Sequence, residues 1–484
     1  MKHLLLAVLL LTACRSTQQP APRALTADER QQLVQCVQTC ADKFTAATQS
    51  DASPAVPDLP APVADSAQAP ARPETFVALD WDAFPADPGP AYAVEGKTVY
   101  VAPDGSDNAA GSAASPLRTI GHAVELASAG DKVVVRAGTY REWLTVDKSV
   151  TITAAPGHVV WLESADRGCG ARLTADNTVL NGINFRGFNP AISIGRADRA
   201  QKNIVLSNFA AEAPAGEGFW DGIAAYERTT AFATAESVLI KNVLLRGHAL
   251  SVTCGNGFCK SWKLENVKVE GNGLADGWGA DGVAFENADN LFLTGVEVGG
   301  VSSDGIDTKA TRVLIHKCYV HNVGNNGIKM WKGGDIQDSR IVNGGDEAPI
   351  VFAQGPRARV TRSLIAGQPI GGGWSVVYAY GTSAPIEIEF TNNILANTIG
   401  GLYAPGSTSK VNISGNIFWR TQSERIADIA GKRIMLSDGN AAIKARGWGD
   451  GNSVADPRLD GNNQATSETP TSAGPTRAKK LARK

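Results

Sequence analysis

Three near-copies of one phrase follow each other in the second half of this chain: Asp281-Gly282-Val283-Ala284, Asp304-Gly305-Ile306-Asp307 and Asn326-Gly327-Ile328-Lys329, spaced by 23 and then 22 residues. A turn pair followed by an apolar residue, returning at the same phase with a period of this size, indicates a solenoid whose rungs stack in register. Successive side chains of a short strand point to opposite faces. With Val283, Ile306 and Ile328 facing into the stack, Ala284, Asp307 and Lys329 face out. Neighbouring strands lie about 4.8 Å apart, so an outward carboxylate sits beside an outward lysine, and Asp281 and Asp304 occupy the turns leading into the same column.

An apolar-alternating phrase runs through much of the chain, from residues 178–185 and 204–209 to 388–395 and 411–418. Its phase marks are Gly182, Asn208, Asn242, Asn266, Gly295, Lys317, Ser339, Ser363, Asn393 and Asn416, spaced by 22 to 34 residues. That spacing predicts about ten rungs, with insertions where the gap exceeds the minimum. The two tightest gaps fall at the Asp/Lys column, where side chains on successive rungs are best aligned. Upstream, residues 99–107 read as strand and turn, 115–127 as a short helix and 130–141 as a strand ending at a glycine turn. This run resembles the opening of many right-handed parallel β-helix proteins, in which such a helix covers the open first rung. An uncovered end would present unpaired strand edges. The expected fold is all-β: a right-handed parallel β-helix over residues 93–460 with an N-terminal capping helix.

The chain has 484 residues and a formal net charge of −2, so no general basic surface advertises nucleic acid. Residues 1–13 carry Lys2 and then an apolar run from Leu4 to Leu11, which is too short to span a bilayer and has the shape of a secretory signal. They lead into Leu11-Thr12-Ala13-Cys14, which resembles a bacterial lipobox and implies lipidation of Cys14. Arg15, rather than an aspartate, follows the cysteine, and similarity to lipoproteins of Gram-negative bacteria then places the protein at the outer membrane or cell surface. Lipid chains would be the anchor. Residues 14–92 read as a short helix over 25–48 and a Pro/Ala-rich tether, and 461–484 as a solvated basic tail. Cys36, Cys40, Cys169, Cys254, Cys259 and Cys318 remain, an even count that permits disulfides after export, with Cys254 and Cys259 spaced to close a small loop. A monomer is expected.

Carboxylates converging on one patch repel one another, and a hard divalent cation with oxygen ligands relieves that; calcium tolerates the irregular geometry of turn residues. Asp281, Asp304 and Asp307 are the candidate ligands, with Ser303 and Glu286 as contributors. A lysine beside such a cation is discouraged from carrying its own charge, which moves Lys329 toward a useful base. Trp331 shares the outward parity of Lys329 and suits the apolar face of a sugar ring.

At these residues the sequence resembles the family 9 polysaccharide lyases, pectate lyases built on a right-handed parallel β-helix. Their pattern has an Asn-Ala-Asp-Gly-like turn, an Asp-Asp-Gly-aromatic-Asp turn one rung later and a Gly-Asn-Gly-Phe-Lys phrase on the rung after that. This chain has Gly279-Ala280-Asp281-Gly282, Ser303-Asp304-Gly305-Ile306-Asp307 and Asn325-Asn326-Gly327-Ile328-Lys329. The resemblance implies that Asp281, Asp304 and Asp307 bind Ca2+ and that Lys329 is the Brønsted base. Ser303 stands where the family has a fourth aspartate, which removes one charge. The implied chemistry is β-elimination on a polyuronate, an acidic polysaccharide, with Arg340, expected on the next rung, holding a second substrate carboxylate.

The turn chemistry alone supports a plainer reading, because Asp-Gly and Asn-Gly tolerate positive φ wherever a rung turns tightly. Asp307 beside Lys329 is then a surface ion pair worth about 0–1 kcal/mol. Asp221-Gly222-Ile223 repeats the turn without the rest of the constellation. The alternative function is a non-catalytic β-helix lipoprotein that binds a glycan or partner along its side. A glycoside hydrolase on the same fold is a third reading, and it needs two carboxylates at a defined separation.

Overall fold

The computed structural model describes residues 96–460 apart from 165–167, 197, 215–220, 226–233, 256, 272–279, 346, 368–372 and 379–384, together with residues 79, 83, 84 and 87. The signal segment, Cys14, the helix expected over 25–48 and the basic tail lie outside the described residues.

The described chain is a parallel β-helix. A 13-stranded sheet runs from Leu144–Val146 to Lys432–Met435, and a 23-stranded sheet carries the other strands of each rung. Apolar residues at every second strand position drive the stacking. Val252, Val283, Ile306, Ile328, Ile350, Val376 and Leu402 form one continuous register column in the smaller sheet, and each is completely buried. Burying a side chain of this size contributes about 1.5–3 kcal/mol, repeated at every rung.

At one corner of the rungs the chain passes through a left-handed residue, which lies inside the long strands Gln201–Glu212, Thr234–Arg246 and Phe258–Glu270 and between two strands elsewhere. The left-handed residues are Gly182, Asn208, Asn242, Asn266, Gly295, Lys317, Asp338, Arg362, Asn392 and Gly415, with φ between 50 and 70°. The first six coincide with the phase marks read from the sequence. In the last four rungs the marked residues, Ser339, Ser363, Asn393 and Asn416, lie one position later and are buried. Their side chains join successive rungs: Ser339 N donates to Ser363 Oγ at 3.1 Å, Ser363 N to Asn393 Oδ1 at 2.9 Å and Asn393 N to Asn416 Oδ1 at 2.8 Å.

Both ends are covered, which removes the exposed edges a solenoid would otherwise offer. At the N-terminal end the helix Ile120–Leu126 buries Ile120, Ala123 and Val124. Its first backbone amides are satisfied from outside, with Ile120 N and Gly121 N each donating to the Glu142 carboxylate at 2.8 Å. At the C-terminal end Arg425–Ile429 pairs antiparallel with Lys432–Met435, and the helix Gly439–Ala445 that follows buries Ile443. Cys254 and Cys259 form a disulfide across the loop their spacing suggested, and Cys318 is buried. Part of the expected tether packs on the solenoid wall. Leu79 and Phe84 lie against Phe292 and Leu314, and Asp87 pairs with Lys241 at 2.7 Å. Among the described residues no helix is long and apolar enough to cross a membrane.

Candidate functional site

The strands Val283–Phe285, Ile306–Thr308 and Ile328–Met330 are neighbours in the smaller sheet, and their register pairs Ala284 with Asp307 and Asp307 with Lys329. The parity argument therefore places the carboxylate and the ammonium on the same outer face of adjacent rungs. Outward does not mean open: Asp281 and Asp307 are 8% exposed and Asp304 3%. Trp331 contributes to that cover, its Nε1 donating to Asp307 Oδ1 at 2.9 Å. Lys329 Nζ lies 3.5 Å from Asp304 Oδ2 and 5.2 Å from the Trp331 ring centroid.

Asp281 and Asp304 each have a structural bond as well. Asp304 N donates to Asp281 Oδ1 at 3.0 Å, and Asn326 N donates to Asp304 Oδ1 at 2.8 Å. The ladder continues with Ala348 N donating to Asn326 Oδ1 at 3.3 Å. It does not connect back to the Asp221 turn, because Leu250 occupies the intervening rung opposite Asp221.

Burial and mutual repulsion act together on these acids. Burial, followed by the charges of Asp304 and Asp281, pushes Asp307 up to about 7 despite Lys329 and Lys309. Asp281 is raised by burial and by Asp304, against hydrogen bonds from Ser303 and the Asp304 amide. Burial pulls Lys329 down, but Asp304, Asp307 and Glu347 outweigh it and hold the ammonium above its ordinary value.

Of the other expected residues, Ser303 reaches the site through its hydrogen bond to Asp281. Glu286 pairs with Lys309, whose Nζ also lies 5.2 Å from the Trp331 ring centroid. Arg340 is on the strand Arg340–Val342 of the larger sheet, with its guanidinium 4.7 Å from the Tyr319 ring centroid. It belongs to the third strand of the Lys329 rung, and the structure places it on a different sheet from the Asp/Lys column.

The family described as right handed beta helix region matches residues 215–365 and 248–456, together half of the chain. The chain belongs to the right-handed β-helix family. A second family, described only as a protein of unknown function, matches residues 103–145. Among curated relatives, this β-helix protein is 48% identical over 56 residues to the uncharacterized protein YwoF of Bacillus subtilis, covering 12% of each chain. It is 40% identical over 68 residues to pectate lyase PEL9 of Emericella nidulans, covering 14% of this chain and 17% of that one. The matches thus span less than a fifth of either relative. Similar solved structures include XylC in complex with xylose, at 10% identity, 75% coverage of this chain, 88% of that one and a TM-score of 0.47. Another is pectate lyase Pel9A, at 13% identity, 66% and 79% coverage and a TM-score of 0.40.

Two residues of this β-helix protein's site were not singled out from the sequence. Asn326 Nδ2 donates both to Asp304 Oδ1 at 2.9 Å and to Glu347 Oε2 at 3.2 Å. Asn326 was legible as a turn residue, whereas Glu347 comes from the next inter-rung turn and carries no motif. The donor chemistry fits a hard divalent cation, since Asp281, Asp304 and Asp307 offer only oxygen, and burial followed by the charges of neighbouring carboxylates raises two of them. As they stand, no three acids, imidazoles or thiols among the described residues converge closely enough to hold a metal ion. Loading would require the carboxylates to turn toward one another.

Proposed function

We propose that this protein is a polysaccharide lyase that cleaves an acidic, uronate-containing polymer by β-elimination. The observation that carries the reading is Lys329, paired in register with Asp307 and 3.5 Å from Asp304, beside a third buried carboxylate, Asp281. The 68-residue likeness to a protein named as a pectate lyase supports the same reaction class.

Asp281, Asp304 and Asp307 would hold calcium, with Ser303 hydrogen-bonded to Asp281. A calcium ion bound there would neutralise the substrate's C5 carboxylate and make the C5 proton more acidic. Lys329 in its amine form takes that proton at Nζ; the C5–H electron pair forms the C4–C5 double bond, and the C4–O bond breaks with its electrons on the departing oxygen. The carboxylates that hold Lys329 protonated are the ones a cation neutralises, so loading favours the amine. Trp331, fixed through Asp307, offers an apolar wall to the sugar.

The ladder in which Asp281 and Asp304 accept backbone amides favours the second reading, a non-catalytic glycan-binding β-helix whose acids serve the turns. Ultraviolet absorbance of the unsaturated uronide separates the two. Polygalacturonate, alginate and a glycosaminoglycan are each incubated with calcium and with chelator. A calcium-dependent rise on one polymer establishes the lyase and its substrate class; flat traces from folded protein on all three favour the binding module.

A further inference from the structure

Beyond the Asp/Lys column, the same outer face changes character. Register carries Lys329 to Val351, Val377 and Tyr403 on the next three rungs. There Ala348, Val351 and Val377 form a buried apolar cluster on the outside of the solenoid, with Trp331, Trp374 and Tyr403 packed against it, partly buried. Trp331 stands on the site's own rung and Trp374 two rungs further on. The rung between them carries the small, buried side chains of Ala348 and Val351, on which the aromatic rings pack.

Trp374 is held in place. Its ring stacks on Tyr403 with centroids 4.9 Å apart and planes 14° from parallel. Gly400 packs closely on the Gly373–Trp374 segment, where a Cβ would meet Gly373 O at 2.5 Å and Trp374 Cε3 at 3.3 Å. Such an aromatic loses little conformational freedom when a ligand packs on it. The Arg425 guanidinium lies 5.1 Å from the Trp374 ring centroid. Arg433 on the adjacent strand pairs with Asp428, whereas among the described residues no carboxylate pairs with Arg425.

We infer that this stripe is a binding surface for the extended polymer, which lies along the solenoid axis on the C-terminal side of Lys329. A uronate ring packs between Trp331 and Trp374, and a later carboxylate of the same chain meets Arg425. The inference rests on the lyase reading for the identity of the polymer. At about 4.8 Å per rung, Trp374 lies roughly 10 Å and the Arg425 rung roughly 19 Å beyond Lys329. Short fragments cannot reach both ends, so the surface selects for chain length and for acid groups. Continuity with the site and an unpaired guanidinium argue for an anionic glycan as the occupant.

The test uses the full chain with Lys329→Ala, so that bound sugar is not consumed, and measures affinity calorimetrically for galacturonate dimer, octamer and methyl-esterified octamer with calcium. Trp374→Ala should weaken the octamer about tenfold and leave the dimer unchanged. Arg425→Ala should remove the preference for acid over ester. Thermal melts check that each variant is folded. Equal loss for dimer and octamer, or no loss in any folded variant, overturns the inference while leaving the lyase reading intact. Length-dependent binding lost in these variants, in a parent that makes no unsaturated product, supports the surface and overturns the lyase reading. A parent that binds no uronate overturns both, and a dimer of the protein abolished by Trp374→Ala reassigns the stripe to self-association.

Discussion

Two ladders of side-chain oxygens run between the rungs of this solenoid, and they are built from different residues. At the corner between the larger sheet's strands, Ser339, Ser363, Asn393 and Asn416 form a buried series in which each oxygen accepts a backbone amide from the adjacent rung. At the turn leading into the smaller sheet, Asp281, Asp304 and Asn326 do the same. Neutral amides and hydroxyls therefore suffice for the bond, and Asn326 shows that they suffice within the second ladder too. The negative charge at Asp281 and Asp304 adds nothing the stack needs. It adds repulsion, which acts after burial to raise the Asp281 and Asp307 carboxyls. Charge that the ladder does not require, kept buried beside Lys329, is what the proposed site would use.

The largest break in that comparison comes from the lysine. Lys329→Ala should lower elimination by roughly 10²–10⁴-fold, the usual contribution of a positioned general base, with the melting curve little changed. Uronide absorbance and calorimetry measured together check this, and undiminished turnover would remove Lys329 as the base.

Exchanging charge between the ladders sharpens the contrast. Asn393 is completely buried, and its Nδ2 donates to Val360 O at 2.8 Å. Asn393→Asp would set a carboxylate against that carbonyl and should destabilise the fold by roughly 3–5 kcal/mol, read by urea unfolding at neutral pH. A loss below about 1 kcal/mol would mean the corner tolerates charge as the site does.

A smaller effect is expected from pH. Asp307 has its folded value raised to about 7 from 3.8, so its proton favours the fold fully below the unfolded value, and that stabilisation is lost as pH rises toward 7. Asp281 acts in the same direction, while the raised Lys329 makes a constant contribution until far more alkaline pH. Metal-free protein should therefore lose stability between about pH 4 and 7, and calcium should flatten that slope if it binds the carboxylates. A calcium-independent slope would count against the proposed ligands.

Much of this was legible in the sequence because a β-helix repeats its needs. One left-handed residue and one inward apolar residue per rung leave a period that survives insertions, and the Asp/Lys register followed from parity. Parity gives a face but not what lies over it, so the burial of Asp307 by neighbours such as Trp331 was invisible. Glu347 comes from a turn with no repeat, and Arg340 shares its rung with Lys329 while lying on another sheet. Trp374 falls where a 30-residue gap, from Ser363 to Asn393, blurs the alignment of successive rungs.

The most direct measurement is unfolding and activity of Asp304→Asn on the same preparation. Asparagine keeps an Oδ1 to accept the Asn326 amide and removes the charge together with the Oδ2 acceptor that faces Lys329 Nζ at 3.5 Å. The account predicts stability at pH 7 within about 1 kcal/mol of the parent, or above it, with calcium-dependent elimination lost. A clear loss of stability with elimination retained would show that the carboxylate serves the stack, and would contradict the account.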